Sequence, residues 1–225
     1  MTEAVGRRRG ASRDDAALQR DAARTQAEIL EVATAYFADV GYSGARVDEI
    51  AARTSTTKRM IYYYFGNKEG LYMAVLEGVY SAIRGAEQKL ALDVLPPREA
   101  LAEVVRFAFD YHGSHPELCR IVAIENIHKA EHLEQSNRAK QVNWPIIELL
   151  DRILARGRDE GLFPRAADAM EVHVMIMAQA MYAVNHRATV RAGFGYDMGE
   201  PANRARLRHN AVQAVLAWMS TPDAV

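Results

Sequence analysis

Two stretches of this chain carry side chains whose types and spacing could do chemistry. The first is Lys58-Arg59-Met60-Ile61-Tyr62-Tyr63-Tyr64-Phe65, entered through Thr56-Thr57 and left through Gly66-Asn67-Lys68-Glu69. Three consecutive tyrosines on a helix cannot all face one core, because neighbours are about 100° apart. At least one ring therefore points outward beside Lys58 and Arg59. Lys and Arg near a helix start donate to guanine edges, and Tyr serves base methyls and phosphates, so this face suits a nucleic-acid groove. The second stretch, His128-Lys129-Ala130-Glu131-His132, fits H-x-x-E-H, in which two histidines one turn apart hold zinc. Three specified positions in five recur by chance, a helix end is expected beside them, and no third ligand is evident. Neither a G-x-x-x-x-G-K-[ST] phosphate loop nor a G-x-S-x-G nucleophile turn occurs. The expectation is no metal, no cofactor and no enzyme. A metal-dependent hydrolase on the His128/His132 pair and a helical interaction module without DNA affinity are the competing classes.

The elements that position the first stretch follow from apolar spacing. Ala23, Ala27, Leu30, Ala33, Phe37 and Val40 recur every three or four residues, which predicts a helix from about Asp15 to Asp39 with Gly41 as its stop. Val47, Ile50, Ala51 and Thr54 predict a short second helix, and Thr57 caps the third. Asn67 caps a fourth, running to about Leu92, with Glu69 near the positive end of its dipole. After Pro96-Pro97, helices are expected over residues 98–112, 116–131, 136–158, 167–192 and 202–219, separated by Gly- and Pro-rich breaks. No convincing strand and no internal repeat is present. The fold class is all-α, with about nine helices.

Composition bounds the rest. The 225 residues carry 28 Lys+Arg against 29 Asp+Glu, so bulk charge does not advertise nucleic acid. Residues 1–70 are barely basic, with 11 Lys+Arg and 10 Asp+Glu. DNA affinity would have to rest on a few placed groups. The lone Cys119 excludes an internal disulfide and fits a reducing compartment. Val172 to His186 is too short and too polar to span a bilayer, and residues 1–25 lack a signal-peptide core. A cytoplasmic protein with no membrane partner is expected. Residues 1–15, with Arg7-Arg8-Arg9 and Arg13, read as a flexible basic arm; a floppy terminus and a minor-groove arm are both open.

Val47 to Phe65 has the layout of a helix-turn-helix: two short helices and a tight turn, the second helix presenting Lys58, Arg59, Tyr62 and Tyr63. The run Ile29-Leu30, Ala33, Phe37, Gly41-Tyr42, Val47, Ile50-Ala51, Thr57-Lys58, Ile61 to Phe65, Asn67-Lys68-Glu69 and Leu71 resembles the N-terminal domain of the TetR family of bacterial transcriptional regulators. The resemblance implies a helix-turn-helix domain over residues 16–66, with an effector-binding and dimerisation domain over residues 67–225. It also implies a homodimeric repressor of a pseudo-palindromic double-stranded operator. Carried over by position, Lys58, Arg59, Tyr62 and Tyr63 would face bases, Tyr64 and Lys68 would hold phosphates, and Thr57 would cap the recognition helix. The chain departs from the family where Ala45-Arg46 replaces the usual Thr or Ser cap, with Arg46 able to supply the lost phosphate contact. It departs again at Ser55-Thr56 in place of Gly-Val, which would strain the turn by ~1 kcal/mol if a positive φ is needed there.

In the last helices, Leu207, Ala211, Val215 and Trp218 form an apolar stripe, and the preceding helix, with Met175, is apolar nearly all round. Together these positions predict the dimer interface. The resemblance places a small-molecule effector cavity among the middle helices. Candidate polar groups are His112, Cys119, Glu125, Asn126, His128, Trp144, Gln179, Tyr182 and His186; the last three share one helical face. Residues 115–128 resemble regulators of pyrimidine or aromatic-compound breakdown, which points to a small, flat or anionic metabolite.

Overall fold

The computed structural model describes residues 13–223, so the Arg7-Arg8-Arg9 arm lies outside them. Eleven α-helices account for the architecture: α1 (Arg13–Gly44), α2 (Val47–Ala52), α3 (Lys58–Phe65), α4 (Lys68–Glu87), α5 (Pro97–Ser114), α6 (Pro116–Ile127), α7 (Glu131–Gln135), α8 (Asn137–Asp159), α9 (Ala169–Asn185), α10 (Arg187–Phe194) and α11 (Pro201–Ser220). Among the described residues there is no strand. No helix among them is long and apolar enough to cross a membrane.

The chain departs from the expected elements where backbone conformation overrides periodicity. Lys129 and Ala130 take left-handed φ values of 58°, so α6 ends at Ile127 and α7 starts as a separate short helix. The helix expected over 167–192 divides at His186. α4 stops at Glu87 and gives way to two 3₁₀ turns, Gln88–Leu90 and Leu92–Val94. Gly41, at φ 72°, breaks α1 as expected. The buried stripe of α1 is Ile29, Ala33, Tyr36, Phe37 and Ala38, where α4 and α6 cover it, while Ala23, Ala27 and Val40 are exposed.

Two apolar clusters organise the molecule. The head cluster joins Phe37, Val47, Ile50 and Ile61 to Leu71–Ile83 of α4 and to Leu118 and Ile121 of α6, so its packing runs well past residue 66. The body cluster joins Leu101 and Phe109 of α5, Leu150 and Ile153 of α8, Val172 and Ile176 of α9, and Val215 and Met219 of α11. This second cluster corrects the expected dimer stripe. Ala211 and Val215 are 2% and 0% exposed within the single chain, so they have no surface to bury against a second copy. Met175, Leu207 and Trp218 pack half-buried on the same core. The exposed apolar groups of α9 and α10 are instead Met170, Val174, Tyr182 and Phe194.

Candidate nucleic-acid interface

α2 and α3 are fixed from beneath by Val47, Ile50 and Ile61, all buried in the head cluster. Thr57 caps α3 by accepting from the Met60 amide at 3.3 Å, and Asn67 caps α4 by accepting from the Gly70 amide at 2.8 Å. Gly70 is required sterically: a Cβ there would sit 2.1 Å from the Phe65 carbonyl oxygen, so only glycine lets the first turn of α4 abut the end of α3. Arg46 occupies the α2 N-cap with no side-chain cap bond, leaving its guanidinium exposed.

The turn between α2 and α3 is not strained at Ser55. Among the described residues, the non-glycines with positive φ are Ala91, Lys129 and Ala130. Ser55 instead donates its amide and its hydroxyl to the two carboxylate oxygens of Glu28, each at 2.6 Å. These bonds tie the turn to α1 and hold the Glu28 carboxyl below its usual range.

With Ile61 turned inward, α3 presents Lys58, Arg59, Tyr62 and Tyr63 to solvent, and Tyr63 is 76% exposed. Tyr64 turns toward the head cluster, half-buried and edge-on to Tyr63. Lys58 pairs with Asp48 of α2 at 2.9 Å, which raises the pKa of the amine and lowers that of the acid. Lys68 stands 4.6 Å from the centre of the Tyr42 ring, and burial lowers its pKa. A convex helix with two cations and two phenols on its outer face, rigidly backed and capped, can enter a major groove and donate to bases and phosphates.

The head joins the body through α4 and α6. Glu125, expected to meet an effector, is engaged elsewhere: 2% exposed, it accepts from His132 Nδ1 at 3.1 Å and from the Leu133 amide at 3.2 Å, which fixes the start of α7. His132 in turn packs on the rings of Tyr42 and Tyr72, with centroids 4.4 and 4.9 Å away. The H-x-x-E-H residues thus straddle the left-handed break: His128 is exposed at the end of α6 while His132 is buried on Glu125.

A cavity of about 560 Å³ lies between α4, α5, α6, α8 and α9. Three of the nine expected effector residues line it: His112, Cys119 and Trp144. Burial pushes the Cys119 thiol up to about 12, which leaves it an unreactive wall. Asn126 and His128 are exposed, and the Asn126 amide donates to the Val122 carbonyl at 2.8 Å. Gln179 donates to the Met175 carbonyl at 3.2 Å, while Tyr182 and His186 stack at 4.3 Å; none of these three lines the cavity. They share one helical face, as their spacing requires, and that face turns away.

Tyr80, Arg84 and His173, which sequence reasoning passed over, do line the cavity. The signal was a cation one turn beyond Tyr80 on the buried stripe of α4, beside Ile83. A larger cleft of about 790 Å³ between α1, α5, α6, α9 and α10 is bordered by Arg120, Arg187, Arg191 and Arg204. Two of these arginines are already engaged, Arg187 by Asp197 at 2.7 Å and Arg204 by the Asp110 carbonyl at 3.1 Å.

A capped, outward-facing recognition helix on a helical body with its own cavity defines a DNA-binding protein built to respond to a ligand. Residues 29–75 match the family described as bacterial regulatory proteins of the tetR family, and residues 97–215 match the tetracyclin repressor-like C-terminal domain. The chain belongs to the TetR family and is a transcriptional regulator; a dimeric state and a small-molecule effector are typical of that family. It is 34% identical over 182 residues to the transcriptional repressor NicS of Pseudomonas putida, covering 81% of this chain and 86% of that one. It is 32% identical to the repressor SCO4008 of Streptomyces coelicolor, covering 73% and 81%. Among solved structures, the regulator SCO4942 of Streptomyces coelicolor matches with a TM-score of 0.63 at 28% identity, over 84% of this chain and 97% of that one. FadR of Bacillus subtilis in complex with stearoyl-CoA shares the fold, with a TM-score of 0.63 at 20% identity over 85% and 98%.

Proposed function

We propose that this regulator is a homodimeric repressor rather than an enzyme, acting on DNA in the cytoplasm and released or retained by a small, flat or anionic effector in the 560 Å³ cavity. Two recognition helices would enter successive major grooves of a pseudo-palindrome, about 34–36 Å apart. Lys58, Arg59, Tyr62 and Tyr63 would meet bases, and Arg46, Tyr64 and Lys68 would meet phosphates. Dimerisation through α9, α10 and α11 would cover Val174, Tyr182 and Phe194, the exposed apolar groups that the body leaves unpacked.

The observation that carries the coupling is that Ile83 and Leu118 line the cavity while belonging to the head cluster. A ligand wedged against them pushes on the packing that seats α1 and α4, and Gly70 passes any shift of α4 directly to α3. A coupling of about 1–3 kcal/mol is typical of such switches. Operator binding by gel shift tests both halves. Tyr63→Ala and Lys68→Ala should weaken binding with the dimer intact, and Val122→Trp, which fills the cavity, should change operator affinity from a distance. Unchanged affinity in the first two rejects the DNA contacts, and unchanged affinity in the third rejects the coupling.

A further inference from the structure

Most of the cavity's lining is apolar, and the one charged side chain among its described residues, Arg84, sits in an unusual state. Arg84 is 11% exposed at its side chain and pairs through Nη1 with Glu87 of the same helix, itself 13% exposed. Arg84 Nε is buried and has no hydrogen-bond partner. A guanidinium has donors on both edges, and a buried donor left unpaired is costly. Arg84 lines the cavity, so its guanidinium stands beside that space with hydrogen-bonding capacity that its own fold leaves unused. Among the described residues lining this cavity, Arg84 is the one Lys or Arg.

We propose, building on the reading of this cavity as the effector site, that the effector is a small organic monocarboxylate whose charged end docks on the guanidinium of Arg84 and whose apolar body lies against Trp144, Met177 and Met181. A carboxylate matches the fork of a guanidinium, and a charge-assisted bond there is worth more than a neutral one. His112 and His173 complete the polar end. His112 places Nδ1 at 2.7 Å from the Ala108 carbonyl, so the neutral ring keeps Nε2 as an acceptor for an N–H or O–H adjoining the carboxylate. His173 is held neutral by burial and by the charge of Arg84, its pKa pushed down to about 4. Glu87, pushed up to about 7 by burial, can turn neutral when a second anion reaches the same guanidinium, so the cluster need not hold two negative charges on one cation.

The test is calorimetric titration of the full-length dimer with benzoate, phenylacetate and octanoate, each against its own primary amide. The carboxylates should bind and the amides should bind at least about tenfold more weakly, the size of one lost charge-assisted bond. The double variant Arg84→Gln/Glu87→Gln removes both charges together, its fold being checked by thermal melt, and should lose the carboxylate preference. His173→Gln gives a second readout, a smaller loss with the preference retained. Amides binding as well as acids, a preference that survives the double variant, or no carboxylate binding at millimolar concentration would each overturn the proposal. Operator affinity is measured on the same samples. Carboxylate binding at Arg84 without any change in operator affinity would refute the coupling and leave the ligand class standing.

Discussion

The head and the body each contain a cation bonded to a carboxylate, and the two pairs behave as opposites. Lys58 and Asp48 bridge α3 and α2 at 2.9 Å with side chains 45% and 55% exposed. Water screens them, so the pair opens at little cost, as the proposed DNA contact of Lys58 requires. Arg84 and Glu87 are nearly dry. There the attraction is strong, the desolvation cost is of similar size, and removing one partner strands the other. A surface pair suits a contact that must be made and broken with each binding event. A buried pair with one edge unpaired suits recognition of one specific ligand. The difference bears on how an almost neutral chain would serve both proposed tasks: solvent exposure, rather than net charge, sets how freely each cation can change partners.

The comparison breaks most severely if the buried pair is cut. Arg84→Ala leaves Glu87 without its counter-charge and should destabilise the fold by about 3–5 kcal/mol in chemical denaturation at pH 8. A loss below about 1 kcal/mol would show that Arg84 is effectively solvated. The pH dependence sharpens the same point. Burial makes Glu87 harder to ionise in the folded state, with its pKa pushed up from 4.5 to about 7. Its contribution to stability is thus present at low pH and is lost as pH rises through that window. His173 works in the other direction, losing stability as pH falls from 6.5 toward about 4. The wild type alone therefore shows a muted profile. The difference between wild type and Glu87→Gln isolates the carboxyl, and from pH 5 to pH 8 it should move by about 2–3 kcal/mol against the wild type.

A smaller effect is expected where the two regions meet. Gly70→Ala forces a Cβ against the Phe65 carbonyl oxygen, a backbone atom that cannot rotate away. A cost of about 1–3 kcal/mol in stability is expected, together with weaker operator binding, because α3 must tilt relative to α4. Operator affinity unchanged at full stability would show that α3 and α4 move independently.

How far the sequence spoke differs between the same two regions. The head was legible because its signals are local: caps at Thr57 and Asn67, a stop at Gly41, and an inward Ile61 flanked by outward polar groups all lie within a few residues of what they control. The body was not, because its cavity is assembled from five helices, and spacing along one helix shows which residues share a face without showing where that face points. Gln179, Tyr182 and His186 illustrate this, and so do Ala211 and Val215, a stripe that is real but turned toward its own core. Arg84 was not legible because a charged residue on a long helix reads as solvated surface until α8 and α5 are packed against α4.

The mildest test concerns Asp48. In the free protein its carboxylate occupies Lys58, and the bond keeps the amine fully protonated and the acid ionised. On DNA that carboxylate would stand beside phosphates, where it repels them and also competes for the lysine. Asp48→Ala should therefore leave stability almost unchanged, as for most exposed pairs, and tighten operator binding a few-fold at low salt. Two freed lysines per dimer should also steepen the slope of log K against log salt by up to about 2, since each phosphate neutralised releases close to one counterion. If affinity falls instead, Asp48 serves to aim Lys58 at its base, and the exposed pair is held to one geometry just as firmly as the buried one.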